Sequence, residues 1–201
     1  MKKRKGRKLP VILEKEEQKA LLDIFNCRYP TAERNKTMIM LMLDTGLRLD
    51  ETTTLKWENV NLMTGKIEVK EGKGAKDRIV WFNDCLMKQL QNWKERQAKE
   101  LIKRDIKQPA EYVFTTLEGT ELDNRNVRRM VTKYAKKAGI TKRISPHTLR
   151  HSFATDLYRE TKNIRATQKA LGHSDLSTTM IYTHIVDDEL ENAMKSFRVE
   201  L

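Results

Sequence analysis

Cysteine is nearly absent from this chain: Cys27 and Cys85 are the only two in 201 residues. They form neither a metal-binding spacing nor a dense disulfide framework, which suits a reducing cytosol. Long apolar runs are missing too. The longest, Met38 to Leu43, is far too short to span a bilayer, and no signal-peptide pattern opens the chain. There is no internal repeat and no low-complexity segment beyond the basic start. No Asp/Glu/His spacing makes a two-metal cluster, and Gly72-Lys73-Gly74 is no Walker loop because no G-K-[ST] follows. Acidic residues are in deficit, 28 against 40 Lys and Arg, which leaves a formal charge of +12. That excess points to a polyanionic partner, since basic surfaces attract phosphate backbones. An acidic membrane surface is the competing explanation, but no long basic amphipathic helix with an aromatic face supports it.

The elements that are present read as mainly helical, an α+β chain with a small antiparallel sheet. Residues 1–8 hold six Lys or Arg and form a basic tail or linker, ending near residue 9, with Lys2, Lys3, Arg4 and Lys5 as candidate phosphate contacts. One domain then spans 10–201. A helix opens at Leu13 with Ala20, Leu21, Ile24 and Phe25 on one face, and a second covers about 31–45, ended by Gly46 with Arg48 just beyond. Residues 66–70 and 78–82 alternate as a hairpin with Lys73 and Lys76 at its tip. Helices are expected over about 84–104 and 124–138. Ser145-Pro146 then starts one over 146–160, with Ser as N-cap and Pro at the first helical position. Short helices over 164–171 and 175–183 follow, and a last one over 187–197 carries Leu190, Met194 and Phe197 as a stripe.

All four histidines, His147, His151, His173 and His184, fall within forty residues, together with Arg150 and Tyr182. Imidazole, guanidinium and phenol are the groups needed to bind a phosphodiester and attack it without a metal. On a helix from Pro146, His147, Arg150 and His151 lie at i, i+3 and i+4, on one side. Leu149, Phe153 and Leu157 line the other side, and Arg150, at its border, needs an anionic partner. Arg48 is a second guanidinium that could converge on the same phosphate, since two such forks clamp its non-bridging oxygens. For Tyr182, a packing role competes with that of nucleophile.

The runs T-G-L-R-L-D-E (45–51), E-G-K-G-A-K-D-R (71–78), S-P-H-T-L-R-H-S-F-A-T (145–155) and L-G-H-S-D-L-S-T-T-M-I-Y-T-H (171–184) resemble the catalytic domain of tyrosine recombinases, the phage-integrase and Xer-type family. The resemblance implies a catalytic set of Arg48, Lys73, His147, Arg150 and His173, with Tyr182 attacking DNA to form a 3′-phosphotyrosyl link. Glu51 corresponds to the carboxylate behind the first arginine. His151 and His184 match motif residues kept as supporting or structural. Lys76 and Arg78 are expected on DNA. Neither ATP nor a metal is implied, and a cytoplasmic, nucleoid-associated setting follows. The partners implied are double-stranded DNA and further protomers, assembled as a tetramer through the 187–197 helix. Such relatives commonly carry an N-terminal DNA-clamping domain, so the chain reads as the catalytic fragment of a longer protein, with a naturally short protein as the other reading. A type IB topoisomerase and a non-enzymatic basic DNA-binding module are the rival readings. The first lacks a use for the terminal helix, and the second leaves the Arg, His and Tyr set unexplained.

Overall fold

Helix α2 (Pro30–Thr45) runs through the centre of the molecule, and the rest of the fold is arranged around it. The computed structural model describes residues 9–70 and 77–196. Met38, Ile39, Leu41 and Met42 of α2 are fully buried, as expected of a helix apolar on more than one face. Its sides pack against α4 (Asp84–Ile102) and α6 (Pro146–Thr161), and α1 (Lys15–Asp23) also touches it. Gly46 closes α2 in the left-handed conformation (φ 64°), and an added Cβ there would lie 2.2 Å from the Phe153 ring. Glycine is needed at that point for both reasons. It lets the chain turn sharply into α3 (Leu49–Thr53), which carries Arg48 at its N-cap.

The sheet is antiparallel, in the order β1 (Val60–Asn61), β2 (Lys66–Val69), β3 (Arg78–Trp81). Ile67 pairs with Val80, both inward, and Ile79 and Trp81 point out. The hairpin expectation therefore holds for its strands. Its tip, with Lys73 and Lys76, lies outside the described residues, as do Lys2, Lys3, Arg4, Lys5 and Phe197. The third strand, β1, escaped the sequence reading because two residues cannot show an alternation. In α4, Leu86, Leu90, Trp93 and Leu101 turn inward as their spacing predicts. Helix α5 (Asn124–Lys137) buries Val127, Val131 and Ala135.

Three expectations need correction. Helix α1 begins at Lys15, not Leu13, and Ala20 and Ile24 on its expected inner face are exposed. Leu13 is fully buried just before the helix, where its N–H donates to Ser152 Oγ over 2.8 Å. The end of the chain is not two short helices over 175–183 and 187–197. A single 3-10 turn at Leu176–Thr178 leads into one continuous helix, α8 (Ile181–Ser196). Asp175 caps the turn, its side chain accepting from Ser177 N, which separates residues 176–178 from the helix proper. Third, the stripe expected to face the core from α6 is only partly inside: Leu149 is buried, whereas Phe153 and Leu157 are half-buried. Leu149, Arg150, Ser152, Ala154 and Thr155 are all buried, because α2 covers one side and α7 (Ile164–Leu171) with α8 the other. A second small core forms there, from Ile12, Ala154, Leu171, Tyr182 and Ile185. Beyond it Leu190 and Met194 of α8 are exposed, at 59% and 65%.

Candidate active site

Four chain segments deliver side chains to one cavity of about 320 Å³, lined by Arg48, His147, Arg150, His151, His173, Thr178 and Tyr182. The first turns of α6 supply His147, Arg150 and His151, as their i, i+3, i+4 spacing requires. The α2–α3 turn supplies Arg48. Gly172 ends α7 in the left-handed conformation (φ 67°) and turns the chain so that His173 enters. Tyr182 stands at the second position of α8.

Arg150 is buried, and its partners differ from the expected anion. One guanidinium nitrogen donates to the Gly46 carbonyl at 2.5 Å and another to the Leu171 carbonyl at 2.6 Å. These are the orphan carbonyls near the ends of α2 and α7, so the arginine ties two helix termini together across the site. Burial and the neighbouring Arg48 charge push its pKa down to about 10, which still leaves it cationic at neutral pH. Arg48 is half-exposed. It donates to Glu51 at 2.8 Å and, at 3.4 Å, to the Gly172 carbonyl.

Glu51 sits between two arginines. Besides Arg48, it accepts from both terminal nitrogens of Arg78, at 2.9 and 2.7 Å. Burial pushes the Glu51 carboxyl up, but the Arg78 bonds, the Arg48 amide and the charges of Arg78 and Arg150 outweigh it and leave it below the usual range. Arg78 itself is buried and also donates to the Ala170 carbonyl at 3.2 Å. This corrects its expected place on the DNA surface: its guanidinium is committed to Glu51 inside the protein. Basic residues on strands usually face solvent, so nothing in its local pattern distinguishes it.

His173 meets Thr179 Oγ1 at 3.0 Å through Nδ1, and burial with the Arg150 and Arg48 charges depresses its pKa to about 4. His151, assigned only a supporting place by its motif, lies 2.9 Å from the Tyr182 hydroxyl through Nδ1. Burial, then His147 and Arg150, lower its pKa to about 4. Burial also pushes the Tyr182 phenol up to about 12, against the pull of Arg150. His147 is exposed at the mouth, and His184 is exposed on α8. The Thr178 and Thr179 positions carried no signal in the sequence beyond their place in the motif.

These shifts predict a pH dependence of stability. An unfolded histidine titrates near 6.5 and these two near 4, so below pH 6.5 the unfolded chain takes up protons that the native fold refuses. Their contribution is complete above that value and is lost as pH falls through 4. The loss should be on the order of a few kcal/mol for the pair, less than additive because both feel Arg150. Melting curves of the chain and of a His151→Asn/His173→Asn variant between pH 7.5 and 4.5 measure it. The variant should show the shallower slope, and parallel slopes would show that the histidines are not responsible.

Helix α5 presents a basic face that the sequence reading passed over: Arg125, Arg128, Arg129, Lys133, Lys136 and Lys137 are all exposed. Its N-terminus is fastened to α3, because Asn124 accepts from Thr53 Oγ1 at 2.9 Å and donates to Asp50. The 3.6-residue spacing of the charges opposite Val127 and Val131 would have revealed it. Among the described residues no group of three His, Cys, Asp or Glu could hold a metal ion, and no helix is long and apolar enough to cross a membrane.

Comparison with known proteins agrees with this architecture. Residues 12–189 match the model of the phage integrase family. Tyrosine recombinase XerD of Staphylococcus saprophyticus is 38% identical over 191 residues, 95% of this chain and 63% of that protein. XerD of Staphylococcus aureus is 37% identical over the same shares. The crystal structure of XerA recombinase superposes with a TM-score of 0.79 at 32% identity, over 96% of this chain and 67% of that one. The XerH site-specific recombinase, solved in a post-cleavage complex with palindromic difH, gives a TM-score of 0.76 at 31% identity, over 94% and 54%. The helical scaffold is thus that of a tyrosine recombinase catalytic domain, and the chain belongs to the phage integrase family. It spans 63% of the length of the curated relatives it matches.

Proposed function

We propose that this chain acts as the catalytic domain of a site-specific DNA recombinase, with Tyr182 as nucleophile. The single observation that carries the reading is the convergence of Tyr182, Arg48, Arg150 and three histidines on one cavity. Tyr182 Oη bonds to phosphorus, the bond to the 5′ oxygen breaks, and a 3′-phosphotyrosyl link remains. Attack by the 5′-hydroxyl of a partner strand reverses the step. Bond energy is kept in the covalent link, so the exchange needs no ATP.

Arg48 and Arg150 stabilise the charge growing on the non-bridging oxygens, with His173 donating a further hydrogen bond and His147 assisting as acid/base. Glu51 orients Arg48. Lys73 protonates the leaving 5′ oxygen; in support, Arg78, five residues later in the chain, reaches Glu51 and Ala170 at the edge of the site. Double-stranded DNA is the partner, its backbone met by the α5 face and by Lys76 and the basic residues 2–5. Residues 1–9 serve as a linker, and 10–201 as the catalytic unit. The exposed Leu190 and Met194 would cover a neighbouring protomer in a tetramer on DNA, head to tail. Such a protein works in the cytoplasm, on the nucleoid.

The test is incubation with a nicked duplex bearing a Xer-type recombination site, followed by denaturing electrophoresis. A covalent protein–DNA band is expected, and it should persist in excess EDTA because guanidinium groups supply the positive charge. No band, or a chemical step strictly dependent on magnesium, would refute the reading. Paired strand exchange, as opposed to relaxation of supercoils, separates it from a topoisomerase.

A further inference from the structure

We propose that His151 is a catalytic residue, the group that takes the Tyr182 proton during attack and returns it on rejoining; this rests on Tyr182 being the nucleophile, as proposed above. The geometry singles it out. Of the three histidines that line the cavity, His151 bonds the Tyr182 hydroxyl, Nδ1 to Oη at 2.9 Å, while His173 spends its Nδ1 on Thr179. The two rings are held against each other, with centroids 5.9 Å apart and planes 51° apart. Neither partner drifts easily. Tyr182 is 1% exposed in the small core with Ala154, Leu171 and Ile185, and His151 sits one residue beyond the anchored Arg150.

In the tautomer protonated at Nε2, the Nδ1 lone pair accepts the hydroxyl hydrogen. As Oη bonds to phosphorus and the P–O5′ bond breaks, that proton passes to Nδ1, and the leaving oxygen takes its own proton from the general acid proposed above, Lys73. Religation runs backwards, with the imidazolium returning the proton to Oη. Within the protein alone the transfer is disfavoured, since burial leaves His151 a weak base and Tyr182 a weak acid. Two changes reverse this balance. A bound phosphodiester offsets the cationic field of Arg150 around the imidazole, and bonding to phosphorus makes the phenolic oxygen far more acidic. Proton transfer is then concerted with attack, as general-base catalysis requires. The nearby groups that share the field are His147 and Arg150 on α6, Arg48 before α3, His173 after α7 and Tyr182 on α8.

The experiment compares the intact chain with His151→Asn, which keeps a hydrogen-bonding group near Nδ1 but no base. With wild type first shown to form the adduct, single-turnover attachment by the variant at pH 7 should fall by about 100-fold or more. The defect should shrink as pH rises, because hydroxide replaces the lost base. It should also persist on a substrate whose leaving oxygen is replaced by sulfur, which needs no acid; Lys73→Ala serves there as the contrast, because its defect should disappear. An attachment rate within about threefold of wild type, or a defect relieved by the sulfur substrate, overturns the proposal. A loss that merely tracks the folded fraction in a melting curve does so as well. A DNA-free check is the nitrogen NMR of His151: Nδ1 should be unprotonated at pH 7, and a proton resident on Nδ1 overturns the assignment. If wild type makes no adduct at all, it is the recombinase reading that fails.

Discussion

Tyr182→Phe is expected to abolish covalent attachment to DNA while leaving DNA affinity nearly unchanged. The substitution removes one hydroxyl and no charge. The ring is held by Ala154, Leu171 and Ile185, and phenylalanine fills the same space, so α8 should keep its place. The folding cost is on the order of 1 kcal/mol, for the lost hydrogen bond to His151. The catalytic cost is total, because no other hydroxyl can stand where Oη meets phosphorus. Trapping on a nicked duplex measures the first and a binding titration the second. An adduct at normal yield would move the nucleophile elsewhere, with Tyr158 beside the same small core as the next candidate.

The second large effect is expected from the guanidinium pair. Arg48→Ala and Arg150→Ala should each slow attachment by at least about 100-fold, the scale of losing one donor aimed at developing charge. The structure makes the two separable. Arg48 is half-exposed, so its loss should be mainly catalytic. Arg150 also holds the Gly46 and Leu171 carbonyls, and its removal leaves both without that partner. Arg150→Ala should therefore lower stability as well, by about 1–3 kcal/mol. Rates must be expressed per folded molecule, with thermal melting as the correction. Replacing Lys2, Lys3, Arg4 and Lys5 together gives the contrast: weaker binding and a flatter salt dependence, but little change in rate at saturation. Equal rate losses in both sets would undo the distinction between clamp and general basic attraction.

Local signals located most of the scaffold. The apolar spacing of Leu86, Leu90 and Trp93, the Ser145-Pro146 start and the glycines at 46 and 139 each act over one or two helical turns, and a chain carries that information linearly. The ends of elements were less legible. Residues 175–183 look helical by pattern, yet the Asp175 cap splits them into a 3-10 turn and the start of α8. Local hydrogen bonding of a short polar side chain decided that boundary over periodicity. Leu13 reads as the start of a helix because acidic first-turn residues follow it, whereas its N–H is claimed by Ser152, 139 residues away.

For the site, the sequence alone determined which residue types are available and that His147, Arg150 and His151 share a side of one helix. Residue chemistry raised Arg48 as a second clamp, but the gathering of His173 and Tyr182 with it was visible only through family resemblance, since turns far apart in the chain have no local rule that brings them together. Tertiary structure decided the partnerships. Arg150 bonds carbonyls and Arg78 pairs with Glu51, although an arginine in sequence looks the same whether it meets solvent, a carboxylate or DNA. His151 meets Tyr182 because α6 and α8 pack against each other. Protonation followed from that packing: burial lowered two histidines and raised one tyrosine, and burial is a property of the folded molecule that no residue carries by itself.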